Sequence, residues 1–318
     1  LNQLLNFPMT LFSAILALFI EQFLPLPAER WVGQPLGRFT HWLGDKFDDG
    51  QYKHGLVAWC LGVAVPAALV QGLYFFLLWA HPVLAAVLGL FVLYLTMGFR
   101  QFSHFFTDLR AALQADNVEN ARSLLAQWTG RNADRLNSSE MARVAIEQAL
   151  VASHRHVFAP LYCFALLGPA GALLYRLSAS FAQAWGGAVI PVPGQEPSRF
   201  GEFAQRAFDA IDWLPIRLTA TGFAVVGDFE DAIYCWRSQA SHWPDITSGV
   251  LLSSGAGAMG ISLGLPLHDD LDVEDRPELG VGDPADVDHM QSTIGLVWRT
   301  LVLGLLVLAL FWVASWVG

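Results

Sequence analysis

The sequence predicts an all-α, polytopic transmembrane protein that carries a cytoplasmic helical loop domain. Three observations carry that expectation. Apolar residues make up 54% of the chain and charged residues only 14%, against roughly 25% charged in an ordinary soluble domain. The apolar residues gather into runs close to the ~20 that a helix needs to cross the hydrocarbon core. Between residues 98 and 156 the pattern changes from solid apolar to amphipathic, with helical spacing.

Met9-Thr10-Leu11-Phe12 reads as an initiator followed by a first hydrophobic helix, Met9 to Leu26, with residues 1–8 ahead of the natural start. No basic stretch or small-residue cleavage site marks a removed signal peptide, so this helix is expected to stay as an anchor. Glu21 within it is expected at the interface beside Gln22. Leu56 to Ala80 carries no charge and is the clearest span. Pro82 to Met97 and Val157 to Leu177 follow, and Leu301 to Val317 closes the chain. Trp213 to Val226 is short and contains Arg217, so it is expected to tilt, re-enter or lie against other helices.

These elements divide the chain into five parts. Residues 1–97 hold the N-terminal membrane helices and a basic loop at 28–54, and 98–156 form the helical domain. Residues 157–265 hold a membrane helix, an amphipathic helix (Phe200 to Ile211), the Asp212 segment and a Gly/Ser-rich helix. An acidic loop fills 266–293, and 294–318 form the last membrane helix. Lysine and arginine crowd loops 28–54 and 98–156 but are missing from the His81-Pro82 hairpin, which puts both loops in the cytoplasm and the N-terminus outside. The expected location is the bacterial inner membrane, crossed several times, with the lipid bilayer as a partner.

In the helical domain, Phe102, Phe105, Phe106, Leu109 and Leu113 share one face, opposite Asp108 and Arg110. Asp116-Asn117 can cap a second helix from Val118 to Trp128. Ser138-Ser139-Glu140 opens a third that runs to about Ser153. Arg143 and Glu147 lie four apart on it, which makes either a surface ion pair or one wall of a polar pocket.

The net charge of −10 is concentrated in acids between 269 and 288, read as a solvated surface because their spacing lacks the calcium-loop pattern. No metal site is expected. The cysteines lack Cys-x-x-Cys spacing, and His154-Arg155-His156 reads as a basic flank. The acidic balance argues against nucleic acid. Gly249, Ser253 and Gly257 repeat every four residues, as do Ala256, Gly260 and Gly264. That favours close helix packing; no Gly-Lys-Ser/Thr ends the run, so it is not a Walker loop.

Asp212-Trp213-Leu214-Pro215-Ile216-Arg217-Leu218 places an acid and a guanidinium five residues apart beside an apolar segment. A charge at membrane depth costs roughly 2.5–3.5 kcal/mol on insertion scales. It therefore takes a partner or serves a purpose.

Several motifs occur in order: Ala121-Arg122, Gly130-Arg131-Asn132, Ala142-Arg143-Val144-Ala145-Ile146-Glu147, Ala159-Pro160-Leu161-Tyr162, Gly171-Ala172-Leu173-Leu174-Tyr175, the Asp212 segment and Arg276-Pro277-Glu278-Leu279-Gly280. This series resembles the membrane family that joins adenosylcobinamide-phosphate synthases (the CobD/CbiB group) with AmpE-type regulators of β-lactamase induction. The start at Met9 and the lone last helix are similar to AmpE. For the synthases, the resemblance implies ATP-dependent amide formation between adenosylcobyric acid and aminopropanol or its phosphate, with acids holding Mg²⁺ and arginines holding phosphate. By position it carries over Arg122, Arg131, Arg143, Glu147 and Arg217.

The sequence also departs from the synthase pattern. Val151 and Ala152 stand at its Glu-Asn positions, and Arg155 and His156 at its Asp-Gly positions. Its later His-Pro-Ser-Pro-Asn-Ala-Gly motif is reduced to Trp243-Pro244-Asp245-Ile246-Thr247-Ser248-Gly249.

Two functions follow. One is a divergent, non-catalytic member that binds a phosphate-bearing corrinoid or nucleotide at the cytoplasmic face, through Arg131, Arg143 and Arg217, with Arg122, Arg155 and Asp212 as further ligand-binding candidates. The other is a working synthase using ATP and Mg²⁺, with Glu147 and Arg217 as catalytic candidates and Asp134 or the 269–288 acids recruited. A homo-oligomer is compatible with either. A transporter ranks third, since the long helices hold few charges and no inverted repeat is visible.

Overall fold

A computed structural model describes residues 7–23, 32–186, 199–267 and 276–317. These form twelve helices: α1 (Phe7–Phe23), α2 (Gln34–Phe47), α3 (Tyr52–Ala80), α4 (Pro82–Thr96), α5 (Phe99–Gln114) and α6 (Val118–Thr129), then α7 (Ser138–Leu167), α8 (Pro169–Trp185), α9 (Glu202–Val226), α10 (Phe229–Gln239), α11 (Ile246–Met259) and α12 (His289–Val317). The described strands are β1 (Ser262–Leu263) and β2 (Leu279–Gly280), paired antiparallel with Leu263 opposite Leu279. The fold is all-α in substance, as the sequence predicts.

The chain divides into two compact units. The first is Leu1–Gly98, Ala159–Pro215 and Ala309–Gly318; the second is Phe99–Phe158 and Ile216–Leu308. Helices α7, α9 and α12 each contribute to both.

Among the described residues, three helices are long and apolar enough to cross a membrane: α3, α7 and α12. Their surroundings differ. Only 17% of the apolar window of α3 and 22% of that of α12 is buried in the protein, against 61% for α7. The first two leave apolar side chains uncovered, while α7 serves largely as core.

Two features of the first unit depart from the sequence expectation. Val157 to Leu177 is not one helix: α7 ends at Gly168, whose φ is +70°, and Pro169 starts α8. A proline fits the first turn of a helix and cannot continue one. α8 then packs back on α7 so closely that a Cβ on Gly171 would fall 2.1 Å from the Cys163 carbonyl oxygen. Glu21 is buried, not interfacial. The core of this unit gathers Leu43, Val63, Leu177, Phe181 and Phe200.

In the second unit, α5 buries Phe106, Leu109 and Leu113, and Phe105 stacks on Trp128 of α6. Asn117 caps α6 by accepting from the Asn120 amide. Asn137 and Glu140 form a reciprocal capping box at the start of α7, which satisfies two of the amides that a helix start leaves open. α9 is one continuous helix through Pro215, where the sequence suggested an amphipathic helix followed by a separate segment.

The Gly/Ser-rich run packs as its spacing predicts. A Cβ on Gly257 of α11 would fall 2.5 Å from the Asp231 carbonyl oxygen of α10, and one on Gly249 would fall 2.2 Å from that of Ala240. Only a missing side chain permits that approach.

Candidate functional site

The chemistry of the second unit centres on α7. Of the pair read from the sequence, Arg143 and Glu147, both are buried. Neither sits on the surface. Glu147 pairs with Arg276, 129 residues away. One Arg276 Nη2 reaches both carboxylate oxygens, at 2.9 Å to Oε1 and 2.8 Å to Oε2. The Gly264 amide donates to Oε1 as well, at 2.8 Å. The Arg276 Nε donates to the Leu265 carbonyl at 3.2 Å, and its guanidinium lies 5.5 Å from the centre of the Trp243 ring.

These bonds hold a strained turn. Gly264 has φ +73°, and a Cβ there would meet the Pro277 carbonyl oxygen at 2.0 Å. Leu265 follows at φ +62°, a left-handed conformation that a γ-branched residue adopts only when its surroundings impose it. Here the Arg276 bond and the β1–β2 pairing fix both sides of the turn. Arg143 donates from Nη2 to the next carbonyl, Pro266, at 3.3 Å. Among the described residues its buried Nε has no hydrogen-bond partner.

A buried ion pair is held in place when its spare lone pairs and protons are satisfied, and removing one partner is costly. Glu147 meets that condition with three donated bonds. The carboxylate is engaged as an ion pair, Oε1 accepting two bonds and Oε2 one, so a magnesium ion there would share it with the Arg276 cation. Among the described residues no group of three or more His, Cys, Asp or Glu could hold a metal ion. The acids at 269–275 lie outside the described residues.

The other residues singled out from the sequence are placed differently. Arg122 clamps the approach to α7, donating from Nε and Nη2 to the Leu136 carbonyl at 3.3 and 3.1 Å. Arg131 and Arg155 are exposed, as is Asp134. Arg217 is half-buried on α9 within the second unit, and Asp212, on the same helix but in the first unit, is buried. His154 corrects the basic-flank reading. It is buried in a π-helical turn of α7, with Nδ1 2.9 Å from the Thr219 hydroxyl.

Sequence reasoning missed Arg276, Gly264 and Trp243 as the surroundings of Glu147. Arg276 and Gly264 do lie in motifs that were noticed, but nothing in local spacing connects them to α7.

The comparisons fit this architecture. A sequence model of the family described as CobD/Cbib protein matches residues 14–297. The cobalamin biosynthesis protein CobD of Stutzerimonas stutzeri is 32% identical over 300 residues, 93% of this chain and 96% of the relative. That of Chromobacterium violaceum is 32% identical over 69% of this chain and 68% of its own length. That of Streptococcus sanguinis is 23% identical over 96% and 98%. No solved structure matches. With the family matched over most of its length and a relative of this similarity end to end, the chain belongs to the CobD/CbiB family of cobalamin-biosynthesis proteins.

Proposed function

We propose that this protein is a multi-pass protein of the bacterial inner membrane that binds a phosphate-bearing ligand, corrinoid or nucleotide, at its cytoplasmic face. It does so without carrying out the synthase reaction, a ligand-sensing role of the AmpE type. The observation that carries this reading is the unequal state of the two buried α7 side chains. Glu147 accepts three bonds from Arg276 and Gly264 and is paired with a cation. Among the described residues, the buried Arg143 Nε has no hydrogen-bond partner. A buried cationic donor left open favours an anionic oxygen, and charge-assisted bonds of that kind are the strong ones. Arg131, Arg155 and Arg217 supply further positive charge on the same unit, and Asp212 belongs to the candidate set through the family motif.

The absence of acids from the synthase positions supports the same reading. Val151, Ala152, Arg155 and His156 stand where that pattern has carboxylates and polar partners. A cation at an acid's position repels Mg²⁺.

Equilibrium binding to the protein in nanodiscs tests this, with adenosylcobinamide phosphate and ATP as separate probes. Saturable binding of either, weakened tenfold or more in Arg143→Met, is the expected result. Binding of neither, or binding indifferent to Arg143, would overturn it.

That the relatives are cobalamin biosynthesis proteins favours a second reading, a working synthase. In it acids other than Glu147, which is engaged by Arg276 and Gly264, hold the metal; amide formation by the unsubstituted protein with ATP and Mg²⁺ would establish it.

A further inference from the structure

α2 carries three distinct faces. Thr40, Leu43 and Phe47 turn toward the core of the first unit, where Leu43 joins Phe181 and Val63. The Trp185 indole donates to the Thr40 carbonyl at 3.2 Å. Arg38, His41 and Asp45 form an exposed polar face. Between the two runs a third stripe: Phe39, Trp42 and Lys46, spaced at three and four residues and so aligned along the helix.

Trp42 is 54% exposed and Phe39 36%. Their rings stack with centroids 6.2 Å apart, and the Lys46 ammonium lies 5.1 Å from the Trp42 ring centre. A helix with one face on protein, one in water and an aromatic stripe between them is suited to a boundary between water and oil.

The position of α2 in the chain agrees. Five residues after Phe47, α3 begins at Tyr52. Its exposed Leu56, Val57 and Leu61 carry on an uncovered apolar surface from that point. α3 has 29 residues, so it is about 43 Å long at 1.5 Å per residue. That matches the ~40–45 Å of a bilayer with its headgroups. The far end of α3 exposes Trp79, at 84%, in keeping with an aromatic belt at the opposite interface. The start of α3 is then at headgroup level, and α2 with it.

We propose that α2 is an interfacial helix whose Phe39–Trp42 stripe lies in the lipid leaflet, with Lys46 directed to lipid phosphates. The occupant of the stripe is lipid, because α2 leads within five residues into α3, whose apolar side chains are uncovered, and a cation lies beside Trp42. This rests on the membrane-spanning reading above.

The test uses single cysteines bearing nitroxide labels, in a background with Cys60, Cys163 and Cys235 replaced by alanine, reconstituted in phosphatidylcholine–phosphatidylglycerol nanodiscs. Accessibility to oxygen and to a nickel chelate reads depth. Leu69→Cys, mid-way along α3 and 68% exposed, is the control for spanning. A Trp42→Cys label is expected about 5–10 Å below the phosphates, with oxygen contact exceeding nickel contact. A His41→Cys label, around the same helix, is expected to favour nickel. Phe39→Cys repeats the Trp42 reading on the same stripe.

If Leu69 reads deep while Trp42 and Phe39 are as nickel-accessible as His41, the inference is overturned and the spanning reading stands. It is also overturned if the Trp42 and Phe39 labels are shielded from both reagents, since a second copy of the chain would then cover the stripe. A shallow Leu69 would instead refute the spanning reading.

Discussion

The two units differ in what they leave uncovered and in what they bury. The first exposes large apolar side chains: Phe19, Leu69, Phe76, Trp79 and Leu310 are each at least 60% uncovered. The second buries polar ones, among them Arg143, Glu147, His154, Thr219 and Ser254. Each pattern is costly in the wrong solvent. Uncovered leucine and phenylalanine lose stability in water, at roughly 25 cal/mol per Å², and gain nothing from being covered in lipid. Buried charges are tolerated only with hydrogen-bonded partners, which the second unit provides through Arg276, Gly264 and the Ala220 carbonyl that accepts from Ser254. The difference is one of degree, since the second unit also exposes Ile246 and Leu306 and the first also buries Glu21 and Asp212; it teaches that exposure has to be judged helix by helix.

Substitutions can break that comparison. Arg276→Met leaves the Glu147 carboxylate buried without its cation and should cost about 3–5 kcal/mol, read as a lowered unfolding midpoint in nanodiscs. The Glu147→Gln/Arg276→Met double variant should lose less than the two single losses combined, since no charge is stranded. Leu69→Asp is a surface change by burial alone, and on a water-exposed helix would be nearly neutral. With Leu69 in lipid it should cost about 2.5–3.5 kcal/mol, seen as poor membrane insertion. Gly257→Ala drives a methyl against the α10 backbone and should cost about 1–3 kcal/mol, a loss confined to the second unit. Asn137→Ala removes one half of the capping box and should cost about 1 kcal/mol. Near-neutral results for Arg276→Met and Leu69→Asp together would erase the distinction between the units.

Much of the fold was legible because it rests on short-range rules. Asn117 and Gly130, at φ +70°, bound α6 as expected, and the sequence reads α7 as opening at Ser138-Ser139-Glu140, one residue after its actual cap, Asn137. Small residues every four positions announced the tight packing of α11. The break inside Val157–Leu177 was written in Gly168-Pro169, but the hydrophobic run around it hid the punctuation. The site was harder to read. Arg143 and Glu147 were picked as a facing pair, yet their burial and the choice of Arg276 as partner depend on a strand pair and a left-handed turn far along the chain. His154 reads as part of a basic flank because it adjoins Arg155 at the start of an apolar run. One position along a helix turns a side chain by more than a quarter of a circle, and His154 reaches Thr219 instead.

The central claim is that the family fold persists here without the synthase reaction. Expressing the chain in a cobalamin auxotroph that lacks its own synthase, with membrane insertion verified, tests it most directly. No growth on adenosylcobyric acid and aminopropanol, while a catalytically active CobD restores it, is the predicted result. Growth would contradict the account and establish that the chain catalyses the reaction despite the missing acids.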